Sequence, residues 1–254
     1  YAGLLRAWNL TASQTTENFN LTLWFAAVEH EIPKLIEQAI MLTRGYDVVV
    51  TNPPYLGSSR FSKKLNDYVV ANFPDVKADL SMVMYKHALR DMCQKNGFVS
   101  FITTTSWMFL SSFEKLRNFV LEGYDFESLV DFGTELFEGK VGHNPIVAWV
   151  NRKSHTDLAM TGIRLVDYCY SRRDEKETEF FNKKNRNYSK PSDFPKIPGT
   201  PMAYWASDKV CSLFCNKKVS DFAEPRHGMS TGNNELCLKL WFEVEYVKIC
   251  FSAS

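Results

Sequence analysis

The sequence predicts an α/β protein: an open, mostly parallel sheet with helices on both faces, followed by a mostly helical or irregular C-terminal connector. Three observations carry this. Residues 23–44 place Leu23, Phe25, Val28, Ile32, Leu35, Ile36, Ala39 and Leu42 at helical spacing, Gly45 ends that helix, and the β-branched run Val48-Val49-Val50 follows at once, which is half of a βαβ unit. Two more apolar strands, 97–103 and 128–132, each come after a helical stretch of their own. Finally, Pro53-Pro54 forbids any continuation of the first ladder, so the chain turns at the carboxyl edge of the sheet, where open parallel sheets hold their ligands.

Taken in order, the first 22 residues hold Leu4, Leu5, Trp8 and Leu10 and then a polar tract, and Pro33 in the next helix fits best in a first turn. Val48 to Val50 reads as a strand buried on both faces. After a polar loop at 57–60, the segment from Phe61 to Phe73 sets Arg60, Lys63 and Lys64 among aromatics, as a cover for a bound base, a phosphate contact or a solvated amphipathic helix. Residues 78–89 are strongly helical, with Leu80, Val83, Met84, His87 and Ala88 on one face and His87 packed on the sheet. Thr104-Thr105-Ser106 caps an apolar-periodic helix from Trp107 to Val120, and Gly123 closes it. A strand at 145–150 is expected to pair antiparallel with 162–168.

Beyond residue 170 the composition shifts. Arg172, Arg173, Lys183 and Lys184 stand in a basic tract interleaved with Phe180, Phe181 and Tyr188, which reads either as a phosphate-contacting connector or as a solvated linker helix. Pro191, Pro195, Pro198 and Pro201 stiffen a linker, and 202–217 looks helical.

The whole chain bounds the possibilities. Its 30 basic and 29 acidic side chains nearly cancel, so nucleic-acid affinity must come from local patches. The 6 cysteines show no C-x-x-C or paired-histidine spacing, so no metal is expected and the thiols are read as free in a reducing compartment. No signal or membrane span is visible, which predicts a cytoplasmic protein, and the absence of an initiator Met marks a piece of a longer one.

The corner after the first strand suits a specific chemistry. An exocyclic amine on a nucleobase is a poor nucleophile because its lone pair is delocalised into the ring. The side-chain oxygen of Asn52 and the carbonyl of Pro53 can each accept one amine hydrogen, returning that lone pair to nitrogen and aiming it at an electrophilic methyl. Proline lacks an N–H and has a fixed φ, so the direction of its carbonyl is set in advance. Pro54 shapes the corner, and Tyr55 is a platform on which an extruded base stacks. A plain turn, with Asn52 capping it, is the competing reading.

Asn52-Pro53-Pro54-Tyr55 resembles motif IV of the S-adenosylmethionine-dependent amino methyltransferases, chiefly the adenine-N6 DNA enzymes. Residues 78–89 are similar to their motif V, which implies that Asp79 and Leu80 border the cofactor's adenine. The stretch 97–110 is similar to motif VI. Residues 129–150 are similar to motif VIII, which implies that Phe137, or another residue of its loop, faces the flipped base opposite Tyr55. The order of these motifs most resembles the PglX-type enzymes of BREX phage-defence systems and fused restriction-modification methyltransferases, chiefly over residues 35–150; Gly228 to Asn234 is similar to the segment leading into their DNA-recognition region.

The resemblance implies a partial Rossmann-like class I methyltransferase sheet. It implies S-adenosylmethionine as cofactor, double-stranded DNA and other defence proteins as partners, and no membrane. The corresponding division is a leading helical segment 1–45, a target-base half 46–168, and a connector with the start of a recognition region 169–254. One departure is plain: the family's glycine-rich cofactor loop is missing, since no Gly-x-Gly occurs anywhere. The isolated chain is therefore expected to bind cofactor weakly and to be inactive alone. A protein-glutamine or RNA-guanine methyltransferase, and a silent DNA- or partner-binding remnant, are the alternatives.

Overall fold

The computed structural model describes residues 19–137, 143–217, 219–224, 232 and 238–245, with side chains in the first helix from Glu31 onward. Helix α1 (Phe19–Thr43) runs through Pro33, which therefore lies in a helix interior, where it forfeits one backbone hydrogen bond, and not in a first turn. Strand β1 (Tyr46–Thr51) follows, then α2 (Lys63–Asn72), α3 (Leu80–His87), β2 (Cys93–Thr104), α4 (Glu114–Gly123), β3 (Asp125–Gly133), β4 (Ile146–Arg152), β5 (Met160–Arg164), α5 (Lys176–Phe180), β6 (Arg186–Ser189) and α6 (Asp208–Leu213). Among the described residues no helix is long and apolar enough to cross a membrane.

The strands form one six-stranded mixed sheet in the order β1-β2-β4-β3-β5-β6. β1, β2, β3 and β5 run in one direction, whereas β4 and β6 run against them. Both edges of β4 are taken, by β2 and β3, so the expected pairing of β4 with β5 does not form; β5 pairs in parallel with β3 instead. Close approach fixes Gly97 at the start of the main β2 ladder, since a Cβ there would meet the Asp47 carbonyl oxygen at 2.7 Å.

β1 is not buried on both faces. It pairs on one side with β2, only Val49 packs on the core, and Val48 and Val50 are 57% and 70% exposed because the face they share is uncovered. The core lies further in, where Tyr85, Phe101, Trp107 and Trp149 cluster, with the two indoles 4.5 Å apart and the phenol ring 5.0 Å from Trp149. The buried Tyr85 hydroxyl donates to the Asn151 side chain.

Several helical expectations change. The stretch 104–120 is two 3₁₀ turns, Thr105–Met108 and Ser111–Phe113, before α4, because Trp107 and Met108 drop into the core and break the helical path. In α3 the buried residues are Ser81, Met82, Val83 and Tyr85, whereas His87 faces solvent and pairs with Asp91 at 2.7 Å. The proline-rich stretch is not a free linker, since Phe194, Met202 and Tyr204 are buried in the core. In the tract that follows residue 170, β6 joins the sheet. By compactness the chain falls into two units, Tyr1–Cys215 and Asn216–Ser254. Of residues 202–217 only α6 is helical, and within the second unit the described residues make 3₁₀ turns at Val219–Asp221 and Trp241–Glu243. Of the Gly228–Asn234 tract, all but Gly232 lies outside the described residues.

Candidate active site

The carboxyl ends of β1, β2 and β3 and the start of β4 meet at one sheet edge, where Thr104 of β2 and Gly133 of β3 both register with Ile146 of β4. Asn52-Pro53-Pro54-Tyr55 leaves β1 there. The loop that follows is stitched to the start of α3: the Ser58 amide donates to the Ala78 carbonyl and the Leu80 amide to the Leu56 carbonyl, each at 2.9 Å. Those bonds hold a corner that two prolines have already stiffened.

Asn52 is exposed, Pro53 is buried, Pro54 is exposed and Tyr55 is half-buried. The Tyr55 hydroxyl lies 2.8 Å from Asn52 Oδ1 and 3.1 Å from the Ile102 carbonyl oxygen. One phenolic proton serves two acceptors, so it can leave Asn52 without losing a partner. Burial pushes the Tyr55 phenol above its ordinary pKa and keeps it a donor. Asn52 Oδ1 retains a second lone pair, so the amide head is not consumed internally.

In front of Tyr55 opens a hollow of about 530 Å³, walled by Arg60, Asp79, Thr104, Ser106, Asn144 and Pro145 among others. That volume lies in the roughly 300–1,000 Å³ range of small-molecule sites. Asn52 and Pro53 stand outside the wall, and Asn52 reaches it through Tyr55. On the side of the β3–β4 connection the described wall is Asn144 and Pro145; Phe137 is half-buried and lies elsewhere, and residues 138–142 are outside the described set. Thr104 Oγ1 and Ser106 Oγ lie 2.7 Å apart and share one hydrogen bond, which leaves the accepting hydroxyl its own proton to donate.

Asp79 and Leu80 sit where the sequence placed them, but as cofactor ligands they fit poorly. Asp79 Oδ1 already accepts from the Ser81 amide at 2.8 Å and the Ser81 hydroxyl at 2.6 Å, as an N-cap should, and the Leu80 amide is spent on Leu56. With no Gly-x-Gly in the sequence, the described residues make no cradle for S-adenosylmethionine.

The basic residues fall into separate groups. Arg60 lines the hollow and ends the 3₁₀ turn Ser58–Arg60, and Lys63 and Lys64 occupy the exposed first turn of α2. Arg172 is bound to Glu175 through two bonds of 3.0 and 2.8 Å and lies over the Tyr168 ring. Arg173 lines a second hollow with Phe132, Leu136, Lys176 and Phe180, while Lys183 and Lys184 are exposed on a short turn. Sequence reasoning missed the hollow's Thr104, Ser106 and Asn144 as site residues. It read the first two as a helix cap, and the Asn-Pro dipeptide was the available signal for a fixed turn at 144.

The mixed α/β sheet thus carries Asn-Pro-Pro-Tyr at its carboxyl edge, beside a hollow of about 530 Å³. The chain belongs to the Eco57I restriction-modification methylase family, whose profile matches residues 5–137. It is 35% identical over 232 residues to the adenine-specific methyltransferase PglX of Lacticaseibacillus casei (strain Zhang), a match that covers 87% of this chain and 19% of that protein. It is 32% identical over 219 residues to the adenine-specific methyltransferase BrxX of Escherichia coli O9:H4 (strain HS), covering 84% of this chain and 18% of the relative. The chain thus spans about a fifth of the length of these relatives. Among solved structures it is similar to the methyltransferase subunit of a type I restriction-modification system from Streptococcus thermophilus, at 12% identity and a TM-score of 0.47, over 63% of this chain and 37% of the other. It is also similar to the type IIG restriction endonuclease BpuSI, at 14% identity and a TM-score of 0.44, over 63% and 21%.

Proposed function

We propose that this chain carries the acceptor half of an adenine-specific DNA methyltransferase, which transfers a methyl group from S-adenosylmethionine to the N6 amine of a flipped adenine in phage defence or restriction-modification. The observation that carries the reading is the exposed Asn52 amide at the sheet edge, joined through Tyr55 to a hollow large enough for a base. Asn52 Oδ1 and the Pro53 carbonyl each accept one N6 hydrogen, so the nitrogen becomes pyramidal and its lone pair projects away from the ring. The Tyr55 ring stacks on the extruded base and offsets part of the unstacking cost, while its hydroxyl turns to the Ile102 carbonyl. S-adenosylmethionine, when bound, supplies the electrophilic methyl.

Duplex DNA as substrate is supported by cations near the hollow. Lys63 and Lys64 sit in the first turn of α2, where the helix dipole disfavours positive charge, and a phosphate between them and Arg60 would relieve that cost. The test is methyl transfer by the intact protein that carries this sequence, offered tritiated cofactor with DNA, RNA and peptide. DNA is expected to accept label at adenine N6. Asn52→Ala is expected to abolish the transfer with DNA affinity nearly unchanged, and equal methylation by the mutant would remove Asn52 from the mechanism. Label in glutamine or in RNA guanine instead would establish the alternative acceptors.

A further inference from the structure

We infer that Asn144 is a specificity-determining residue that donates a hydrogen bond to N1 or N7, the ring nitrogens nearest the N6 amine of the flipped adenine; this rests on the adenine reading above. In the sheet order β1-β2-β4, Tyr55 leaves β1 on one side of β2 and Asn144 leads into β4 on the other, so the two stand across the end of β2 with the hollow between them. The backbone of the turn is held in place: the Thr105 amide donates to the Pro145 carbonyl at 3.0 Å, and proline at 145 biases the residue before it to an extended conformation.

Several other polar groups of the wall are already engaged. Thr104 and Ser106 bond to each other, Asp79 caps α3, and Arg60 is a cation suited to phosphate. Asn144 is exposed to the hollow, and its amide has no hydrogen-bond partner among the described residues. On the adenine, both N6 hydrogens are taken by Asn52 and Pro53. The ring nitrogens nearest that amine are N1 and N7, and both are acceptors. The Asn144 NH₂ is a neutral donor that can meet one of them; the wall's hydroxyls, Ser59 and Thr105 included, are donors as well, but the planar amide with two N–H groups and no partner among the described residues is the group set directly across from Tyr55. A donor facing N1 also rejects guanine, whose N1 carries hydrogen.

The test is a chemical double-mutant cycle in the intact protein. Wild type and Asn144→Ala are compared on duplexes with adenine, 1-deazaadenine or 7-deazaadenine at the target, reading single-turnover methyl transfer and, separately, equilibrium affinity for each duplex. One of the two analogues is expected to lose about tenfold with wild type, and Asn144→Ala is expected to lose about as much on adenine but nothing further on that analogue. Which analogue shows this identifies N1 or N7. Losses that multiply for both analogues, or an Asn144→Ala enzyme equal to wild type on adenine, would overturn the inference while leaving the methyltransferase reading intact. Failure of the wild type to label unmodified adenine would overturn the parent reading and this one with it. Asn144 is solvent-facing, so loss of folding does not confound the comparison.

Discussion

At the scale of single residues, the two roles proposed for Tyr55 are ones that substitution separates. Tyr55→Phe keeps the stacking face and frees Asn52 Oδ1, so methyl transfer by the intact protein is expected to stay within about fivefold of wild type, while Tyr55→Ala loses roughly ten- to a hundredfold through lost stacking. A Phe variant as impaired as Ala would make the hydroxyl essential and the ring secondary. Asp125, buried where β3 begins, accepts from the Thr156 amide and Ser154 hydroxyl at 2.7 Å each, the Thr156 hydroxyl at 2.9 Å and the Asp157 amide at 3.2 Å. Burial by itself would raise its pKa, but these donors prevail and hold it below the ordinary carboxylate value. A depressed folded pKa contributes stability above the unfolded value and loses it as pH falls through the folded one. Asp125→Ala should therefore cost about 2 kcal/mol or more at neutral pH, and less in acid, measured by denaturant titration across the acid range. Asp131 runs the other way: burial raises its pKa, so its contribution is present in acid and fades as pH climbs through the raised value.

At the scale of elements, the segment 199–204 is fastened to the wall of the site. Arg117 of α4 is only 1% exposed and makes no salt bridge among the described residues; it donates to the carbonyls of Trp107, Leu110, Gly199 and Thr200 at 2.6–2.8 Å. The Met202 amide adds a bond to the Met108 carbonyl at 3.0 Å, and the Tyr204 hydroxyl reaches Asp131 at 3.3 Å. Burying a guanidinium is costly unless all its donors are used, so the two segments need each other. Arg117→Met should destabilise by about 2–3 kcal/mol, because four carbonyls, those of Trp107 and Thr200 buried and those of Leu110 and Gly199 partly so, lose their donor at once. Thermal unfolding checks this, and a change in Tm of a degree or less would show that water replaces the side chain. Gly162 of β5 belongs to the same fastening: a Cβ there would meet Tyr204 Cδ2 at 2.2 Å, and Gly162→Ala should cost roughly 1–3 kcal/mol.

At the scale of the whole molecule, the sheet is well covered in its middle and open at β1, where Val48 and Val50 face outward at an edge that no strand pairs with among the described residues. The proposed acceptor residues stand at the carboxyl edge of the sheet, and no Gly-x-Gly occurs among the described residues. Calorimetry of the 254-residue polypeptide alone should accordingly find at most weak binding of S-adenosylmethionine. A tight isotherm would show that residues such as Asp79 and Leu80 rearrange to hold the cofactor. An exposed β-branched edge also invites pairing with other chains.

Local signals were enough for part of this. A Val-Val-Val run stopped by two prolines announces a strand and a forced corner, and only Asn, Pro and Tyr at that corner have the acceptors and the stacking face that amine activation needs. Four strands of the sheet, β1 to β4, and part of β5 were legible for the same reason, since β-branched and aromatic runs report burial within a few residues. Distant partners were not legible. That β4 slips between β2 and β3, that β6 of the basic tract joins the sheet, and that Arg117 spends its charge on four carbonyls depend on contacts between residues tens of positions apart. The composition of the sequence determined a strand, its corner and the chemistry possible there. Which face of β1 is covered, and which residue stands across the hollow from Tyr55, was decided only by tertiary structure, because burial is a property of what packs against a residue and not of the residue itself.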